Sequence, residues 1–587
     1  MILQTLAAYY DRLLEEGSIP PPGLQEKELH WAVEIEPDGT FVALTRTGEG
    51  KRGRKATVPA EVKKSVNIAA NLLWDNPEYV FGVARAGATE KQAAKAPLRH
   101  ADFVKRLRGL DAETRADPGV AAVIEFMRKG DFAAAKASEA WTAMAENGGN
   151  VSFRLSGDKK FVCERPVVRK AATAVATTQD GDDATNLPWC LVTGRRAVAA
   201  RLHPSIKGVR GGQTSGTNIV SFNLDAFKSH GWDKGQNAPV GKAAANAYVA
   251  ALNHLLARDN DTHHSREGDT TFVFWAARKT VMEDRFAHLC DGETLKEIEK
   301  NGRSVANVFD SIRKGLLVFD DDDTPFYVLG LAPNAARLAV RFWYQGTVAD
   351  VAGRFRRHFD DLEIADPYGN IKNLGLWRLL GAASRGGDVK NMQDNLRGVL
   401  AAEVTAAILK GTPYPHTLLA RTIERCRAEQ SVWPIRAALI KAVLNRRIRQ
   451  FSPKEKEITV SLDPDYDNPG YLLGRLFAAF EDIQRGAQKA KINTTIRDRY
   501  FAAAAASPRS VFIQLDKLKN AHLKKLRRVN PGHAVNAEKL VGAITDKIAA
   551  RTAFPDALSL DDQGRFIIGY HHQKQNFFKK PNPAKET

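Results

Sequence analysis

The 587-residue chain is predicted to be an α+β protein, with a mixed N-terminal α/β region followed by an all-α C-terminal helical bundle. Three observations predict this. Short runs of β-type residues bounded by Gly, Pro and Asp recur between about residues 29 and 331. Beyond about residue 335 strand signals almost vanish, and apolar residues repeat at helical spacing. The length also exceeds what one hydrophobic core organises, so two to four domains are expected. The divisions that follow are 1–345 (α+β), 346–465 (helical) and 466–587 (a basic helical bundle).

The first predicted helix runs from about Ile2 to Leu14 and stops at Glu16-Gly17, since Pro20-Pro21-Pro22 prevents its continuation. Leu29 to Glu36 and Thr40 to Leu44 read as strands joined by Pro37-Asp38-Gly39 in a hairpin. A cationic Gly-rich loop follows, Arg46 to Lys55. It is not a P-loop, because Thr45 stands where the first glycine belongs and Arg52 where Ser or Thr must be. Ala88 to Asn147 is Ala-rich and helical in pattern, whereas Val151 to Phe161 and Trp189 to Arg201 are β-type. Thr177 to Asn186 reads as an exposed loop, and Thr270 to Ala276 and Pro325 to Leu331 as further short strands. A cluster of breakers, Asp463 to Gly470, precedes a helical repeat of Leu472, Leu473, Leu476, Phe477, Phe480 and Ile483.

Hydrophobic residues make up 43% of the chain and charged ones 26%, which argues against wholesale disorder. The charge balance is unusual: 86 Lys plus Arg against 68 Asp plus Glu leave a net charge of +18. Such a surplus is solvated or matched by an anionic partner, of which nucleic acid is the commonest. From Gly470 to the end there are 21 basic and 10 acidic residues, a net of 21 − 10 = +11, more than half of the surplus. At about 100° per residue, Val511, Leu515, Leu518, His522 and Leu526 line one side of a helix, with Lys517, Lys524 and Arg528 opposite. That face reads either as a solvated stripe or as a track for phosphates. The cysteines Cys163, Cys190, Cys290 and Cys426 are far apart with no C-x-x-C pair, as expected of reduced thiols in the cytoplasm. No apolar stretch approaches the ~18 residues that span a bilayer, so no membrane partner is expected.

The most informative stretch is His203-Pro-Ser-Ile-Lys-Gly-Val-Arg-Gly-Gly-Gln-Thr-Ser-Gly-Thr-Asn-Ile-Val-Ser-Phe-Asn223, continuing through Ala226 to Gly231 and Asn237 to Gly241. Its glycines at 208, 211, 212 and 216 allow backbone N–H groups to approach an anion, or alternatively serve a purely structural connection. Lys207 and Arg210 supply charge; Gln213, Thr214, Ser215 and Asn218 supply neutral donors and acceptors. This stretch resembles a signature of the type I-C CRISPR Cascade large subunit family, with Thr214 at a usual Ser. Other stretches resemble that family in order: Cys190 to Gly194, Leu329 to Arg337 with Arg341-Phe-Trp343, Gly411 to Pro415, Tyr471 to Phe477, Asp498-Arg-Tyr500 and Gln563 to Gln573. Ala69 to Asn76 before Tyr79-Val-Phe-Gly82 is similar too, although its flanks diverge.

The resemblance implies a large subunit that works with guide CRISPR RNA, the double-stranded target DNA and its displaced single strand. It also implies contacts with the other Cascade subunits, namely the backbone, guide 5′-end and small subunits. Members of that family recognise the protospacer-adjacent motif, aid duplex opening and R-loop formation, and present the complex to a helicase-nuclease recruited in trans. The resemblance implies no enzymatic activity, cofactor or metal in the chain itself. It further implies that the C-terminal helical portion can be made separately by internal translation. Since the last of the five methionines is Met392, a start near the 463–470 boundary needs a non-AUG codon, such as one at Val460.

Base pairing with the guide supplies most of the specificity in such complexes, leaving the protein a short motif and the backbone to read. Base edges are read by flexible donor–acceptor side chains. The candidates for that role are Asn67, Asn71 and Asn76 at the front and Lys207, Arg210, Gln213, Ser215 and Asn218 in the Gly-rich loop, where Gln213 also suits a wedge between separating strands. Lys51, Arg52, Arg54, Lys55, Lys63 and Lys64 suit phosphate, and Lys517, Lys524, Lys525, Arg527 and Arg528 suit single-stranded phosphate without sequence preference.

Other readings are a general nucleic-acid scaffold without motif reading, or a metal-dependent nuclease. For the latter, Asp320 to Asp323 could hold Mg²⁺, but four adjacent acids alternate in direction and read better as a solvated turn before Pro325. His263-His264 with Asp259, Asp261, Glu267 and Asp269 lacks the i, i+4 spacing of a helical zinc site and reads as a polar loop. His571-His572, beside aromatics, suits packing or RNA contact.

Overall fold

The computed structural model describes residues 1–49, 52–62, 68–84, 87–177, 187–257, 260, 263–267, 269–284, 286, 323–366, 376–385, 398–488, 494–549 and 554–578. The fold is α+β. The chain forms two compact units, Met1–Ile206 with Val220–His254, and Lys207–Ile219 with Leu255–Thr587. The strands near residue 330 therefore share a unit with the C-terminal helices.

In the first unit, helix α1 (Ile2–Glu15) precedes β1 (Leu24–Leu29), β2 (Trp31–Ile35), β3 (Phe41–Arg46) and β4 (Arg54–Pro59). The expected hairpin is β2–β3: the Glu36 N–H donates to Thr40 O (2.9 Å), and Gly39 closes the turn at φ +78°. β1 pairs with β4 in a separate antiparallel ribbon that sequence reasoning did not anticipate. Helices α2 (Pro77–Phe81), α3 (Ala96–Arg108) and α4 (Pro118–Lys129) lie between the short strand β5 (Trp74–Asp75) and β6 (Val151–Leu155). β6 returns parallel to β2, giving a four-stranded sheet in the order β3-β2-β6-β5. The β-type run at 151–161 thus yields a strand only to Leu155. Trp189 to Arg201 yields no strand among the described residues, only the isolated bridges Trp189–Arg196 and Ala199–Gly241. Helix α5 (Lys242–Leu255) closes this part of the chain.

The second unit carries an antiparallel sheet in the order β10-β9-β8-β7, formed by β7 (His264–Glu267), β8 (Thr270–Ala276), β9 (Pro325–Asn334) and β10 (Arg337–Thr347). β10 lies beyond residue 335, where strand signals almost vanish in the sequence, and no strand was singled out there. Helices α6 (Val348–Leu362), α7 (Gly398–Lys410), α8 (His416–Ala428), α9 (Pro434–Phe451), α10 (Pro469–Gln488), α11 (Ile496–Ala506), α12 (Pro508–Val529), α13 (Pro531–Ala549) and α14 (Leu560–Phe578) follow. One continuous apolar core runs from Phe272 and Phe326 of the sheet through Leu439 of α9 to Phe477 and Phe566 of the last helices.

Two local features fix this helical packing. α10 and α14 approach so closely that a Cβ on Gly474 would lie 2.0 Å from Phe566 O, and one on Gly569 2.1 Å from Tyr471 O. Only glycine permits that contact. Between α6 and α9, Arg446 Nε donates to Asp361 Oδ2 (2.6 Å) and Arg449 pairs with Asp361 Oδ1 (2.6 Å), with Asp361 itself buried. Arg446 Nη1 also donates to the carbonyls of Ala407 (3.0 Å) and Thr412 (3.1 Å), so hydrogen bonds match the buried charge at Nε and Nη1, while Nη2 has no partner among the described residues. Among the described residues, no helix is long and apolar enough to cross a membrane.

Candidate nucleic-acid interface

The Gly-rich segment Lys207–Ile219 is docked on the sheet of the second unit. The Asn218 N–H donates to Ala336 O (3.3 Å) and the Leu338 N–H to Asn218 O (2.9 Å), a short parallel bridge to Arg337 at the start of β10. The Arg210 N–H donates to the Thr271 hydroxyl (3.4 Å). Two tight turns follow one another, closed by Gly212 N–H to Val209 O (3.1 Å) and Gly216 N–H to Gln213 O (2.9 Å). Gly208 sits at φ +93°, where a Cβ would lie 2.6 Å from Leu256 O, so this glycine serves backbone fit.

Val209 and Thr217 are buried anchors, while Lys207, Arg210, Gln213, Thr214 and Ser215 are exposed and Asn218 is half-buried. The loop thus shows water a rim of two cations and three neutral hydrogen-bonding side chains. Sequence reasoning missed a neighbour. β10 is an edge strand with an irregularity between Val340 and Phe342, and the residue it extrudes, Arg341, is exposed without an ion pair among the described residues. The available signal was the Arg341-Phe-Trp343 run, hidden because no strand was expected there.

The front candidates behave differently. Asn71 is only 2% exposed. Its amide oxygen accepts from the Val62 N–H (2.9 Å) and its own N–H donates to Asp75 Oδ2 (2.8 Å). Around it the Ala70 N–H donates to Asp102 Oδ2 (2.7 Å) and Arg106 to Ala70 O (2.7 Å), a polar knot that holds Leu73 at φ +61°. Asn71 therefore positions the loop and is unavailable to a base edge, which corrects its assignment as a reader. Asn76 is half-buried and caps α2, its Oδ1 accepting from the Glu78 N–H (3.0 Å). Asn67, Lys51, Lys63 and Lys64 lie outside the described residues. Arg52 and Lys55 are exposed. Arg54 is not free for phosphate: it donates to Lys159 O (2.6 Å), pairs with Glu164 (3.4 Å) and lies over the Phe161 ring at 5.1 Å. An extended strand places alternate side chains on opposite faces, and the β4 ribbon turns Arg54 inward.

The basic helix α12 buries Val511, Phe512, Leu515, Leu523 and Leu526. Leu518 and His522 are only half-buried, so the inward face is rotated slightly toward Phe512 and Leu523 from the predicted one. Lys517, Lys524, Lys525 and Arg528 are all exposed and make no ion pair among the described residues. Arg527 is committed to Glu538 of α13. Burial and the adjacent Lys525 lower the pKa of His522, leaving it neutral at pH 7.

The residues weighed as metal ligands are accounted for structurally where they are described. His264 is buried on β7 against Leu255 O (3.1 Å), and His263 stacks on Phe274 with ring centroids 6.4 Å apart. Asp323 lies in an exposed turn, while Asp259, Asp261 and Asp320 to Asp322 lie outside the described residues. Among the described residues no group of three or more His, Cys, Asp or Glu could hold a metal ion. His571 donates from Nε2 to Ala365 O (3.0 Å) and His572 Nδ1 meets the Tyr471 hydroxyl (2.9 Å), so both are packing groups. Burial holds His571 down at about 4. Cys163, Cys190 and Cys426 are buried free thiols; burial pushes Cys163 and Cys426 up to about 12, which keeps them protonated and inert.

Fold and surface together define a large α+β protein whose second unit bears a polar, glycine-shaped rim on its sheet and a helix with four exposed cations, Lys517, Lys524, Lys525 and Arg528, that make no ion pair among the described residues. The family model described as CRISPR-associated protein (Cas_Csd1) matches residues 6–578, and the chain belongs to that family. No curated protein matches the chain.

Proposed function

We propose that this chain is the large subunit of a type I-C Cascade, which recognises the protospacer-adjacent motif in target DNA and aids duplex opening. The observation that carries this reading is the row Lys517, Lys524, Lys525 and Arg528, four exposed cations without ion-pair partners among the described residues, on a chain of a CRISPR-associated family. Unpaired cations spaced along one helix suit a polyphosphate backbone, and their energy comes from counterion release. In this reading the basic helices from 466 onward hold the displaced single strand. The rim of Lys207, Arg210, Gln213, Ser215 and Asn218, extended by Arg341, meets the motif-bearing duplex; amide and guanidinium groups there can pair with base edges. Arg52 and Lys55 contact phosphate.

The partners are guide RNA, target DNA, the other Cascade subunits and a helicase-nuclease recruited in trans, all in the cytoplasm. The chain itself cuts nothing and needs no cofactor. The test is direct. With Mg²⁺ or Mn²⁺ the purified chain leaves labelled DNA intact, while the assembled complex binds motif-bearing duplex more tightly than duplex without the motif. Cleavage by the lone chain, or equal affinity for both duplexes, overturns the proposal.

A further inference from the structure

The first unit contains a cavity of about 380 Å³ that none of the roles above uses. One wall is apolar: Val83, Ala84, the half-buried Trp141, the buried Met144 and Ala145. Trp141 is held in place by an edge-on contact with Phe81, ring centroids 5.0 Å apart at 71°. The opposite wall is polar, with Asn76, Glu78, Gln92 and Arg99.

Arg99 and Glu78 form an ion pair, so the two charges in the lining among the described residues neutralise one another. A phosphate or a carboxylate would have to break that pair, so the cavity does not suit an anion. The amides are differently disposed. Asn76 spends its oxygen on the Glu78 N–H and Gln92 its oxygen on the Thr89 N–H (3.1 Å). In each case the amide NH₂ has no hydrogen-bond partner among the described residues. The floor is backbone at Gly148 and Gly149; Gly149 sits at φ +104°, where a Cβ would lie 2.8 Å from the His30 side chain. The site therefore offers an indole face for a flat ring, two uncommitted donors at its edge and, among the described residues, no net charge.

We propose that this cavity receives one unpaired nucleobase of a single strand, stacked on Trp141 and hydrogen-bonded at its edge by Asn76 and Gln92. A neutral heteroaromatic ring with acceptors on its rim satisfies each wall, and every base has a face to stack. The proposal rests on the nucleic-acid reading above and adds a base-holding site distinct from the phosphate track.

The test uses the full chain and two single-stranded oligonucleotides of one length, one intact and one abasic throughout. The wild type is expected to bind the intact strand about tenfold more tightly than the abasic one, as one stacked and hydrogen-bonded base implies. Trp141→Ala should remove most of that difference, and Gln92→Ala, at an exposed position that leaves the fold intact, should remove a few-fold part of it. Because no phosphate contact is lost, the dependence of log Kd on log salt keeps its slope in both variants. If the wild type prefers the intact strand but Gln92→Ala and Trp141→Ala keep the full preference, or weaken both strands equally, the base site is wrong while the phosphate track stands. If the wild type binds neither strand, the site and the underlying reading fall together.

Discussion

Replacing Lys517, Lys524, Lys525 and Arg528 of α12 by glutamine removes four positive charges and no buried atoms, since all four side chains are exposed without ion-pair partners among the described residues. Folding stability should therefore change by less than about 0.5 kcal/mol per site. Binding should change much more. Each cation lost from a single-strand contact lowers the slope of log K against log salt by about 0.7, so four lower it by about 2.8. Between about 50 and 200 mM salt, a fourfold range, that slope corresponds to roughly a 50-fold change in affinity which the variant no longer shows. The assay is fluorescence anisotropy of a labelled single strand at four or five salt concentrations, with a thermal melt of the variant as a folding control. A variant that melts like the wild type yet keeps its slope refutes the idea that α12 tracks phosphates. Arg527→Gln, which loses a cation already paired with Glu538, should alter the slope less than any of the four.

Three further outcomes follow from the packing. Gly474→Ala or Gly569→Ala forces a methyl group against a helix backbone about 2 Å away and should cost about 3 kcal/mol or more, read as a fall in the denaturation midpoint; a midpoint within a degree of the wild type contradicts the close approach of α10 and α14. Asn71→Ala strands the Val62 N–H and should destabilise the fold by about 1–3 kcal/mol while leaving the ratio of motif-bearing to motif-free binding unchanged; loss of that ratio without loss of stability would restore Asn71 as a reader. His358 and His571 are held neutral by burial, near 3 and 4, far below the 6.5 of an exposed imidazole. The unfolded chain therefore takes up protons below pH 6.5 that the folded chain does not, so the stability these histidines hold above 6.5 is lost as the pH falls. From pH 6.5 to 5 the loss is about 2 kcal/mol for each. Midpoints measured at pH 7, 6 and 5 that do not fall would contradict their burial.

Much of the fold was legible because its signals are local. The Asp38-Gly39 turn, the run Leu472 to Ile483 and the helix Ile2–Glu15 each declare themselves within a dozen residues. What stayed hidden depends on partners distant in sequence. β1 and β4 read as ordinary polar segments until Leu24 pairs with Pro59 and Leu29 with Arg54. β10 was lost because its β-type run continues directly into α6, whose start is marked by the Thr347 cap. Trp189 to Arg201 has strand composition but finds no ladder, because its backbone bonds are spent on Pro239, Val240 and its own turn.

The candidate interface divides along the same line. Exposure of Lys517, Lys524 and Arg528 followed from helical periodicity alone. The fates of Asn71 and Arg54 did not, because asparagine and arginine serve equally well as buried hydrogen-bond hubs and as surface readers, and only Val62, Asp75, Lys159 and Glu164 decide between them. Arg341 became visible as a candidate only once the bulge of an edge strand was known.

The central claim is that the glycine-shaped rim reads a short DNA motif while the surrounding charge holds DNA of any sequence. The measurement that tests it most directly is equilibrium binding by the complex assembled with its guide and carrying Arg210→Ala with Gln213→Ala, on target duplexes that differ only in the motif. The account predicts a loss of about 1–3 kcal/mol on the motif-bearing duplex and no change on the other. Equal loss on both duplexes, or none on either, contradicts it.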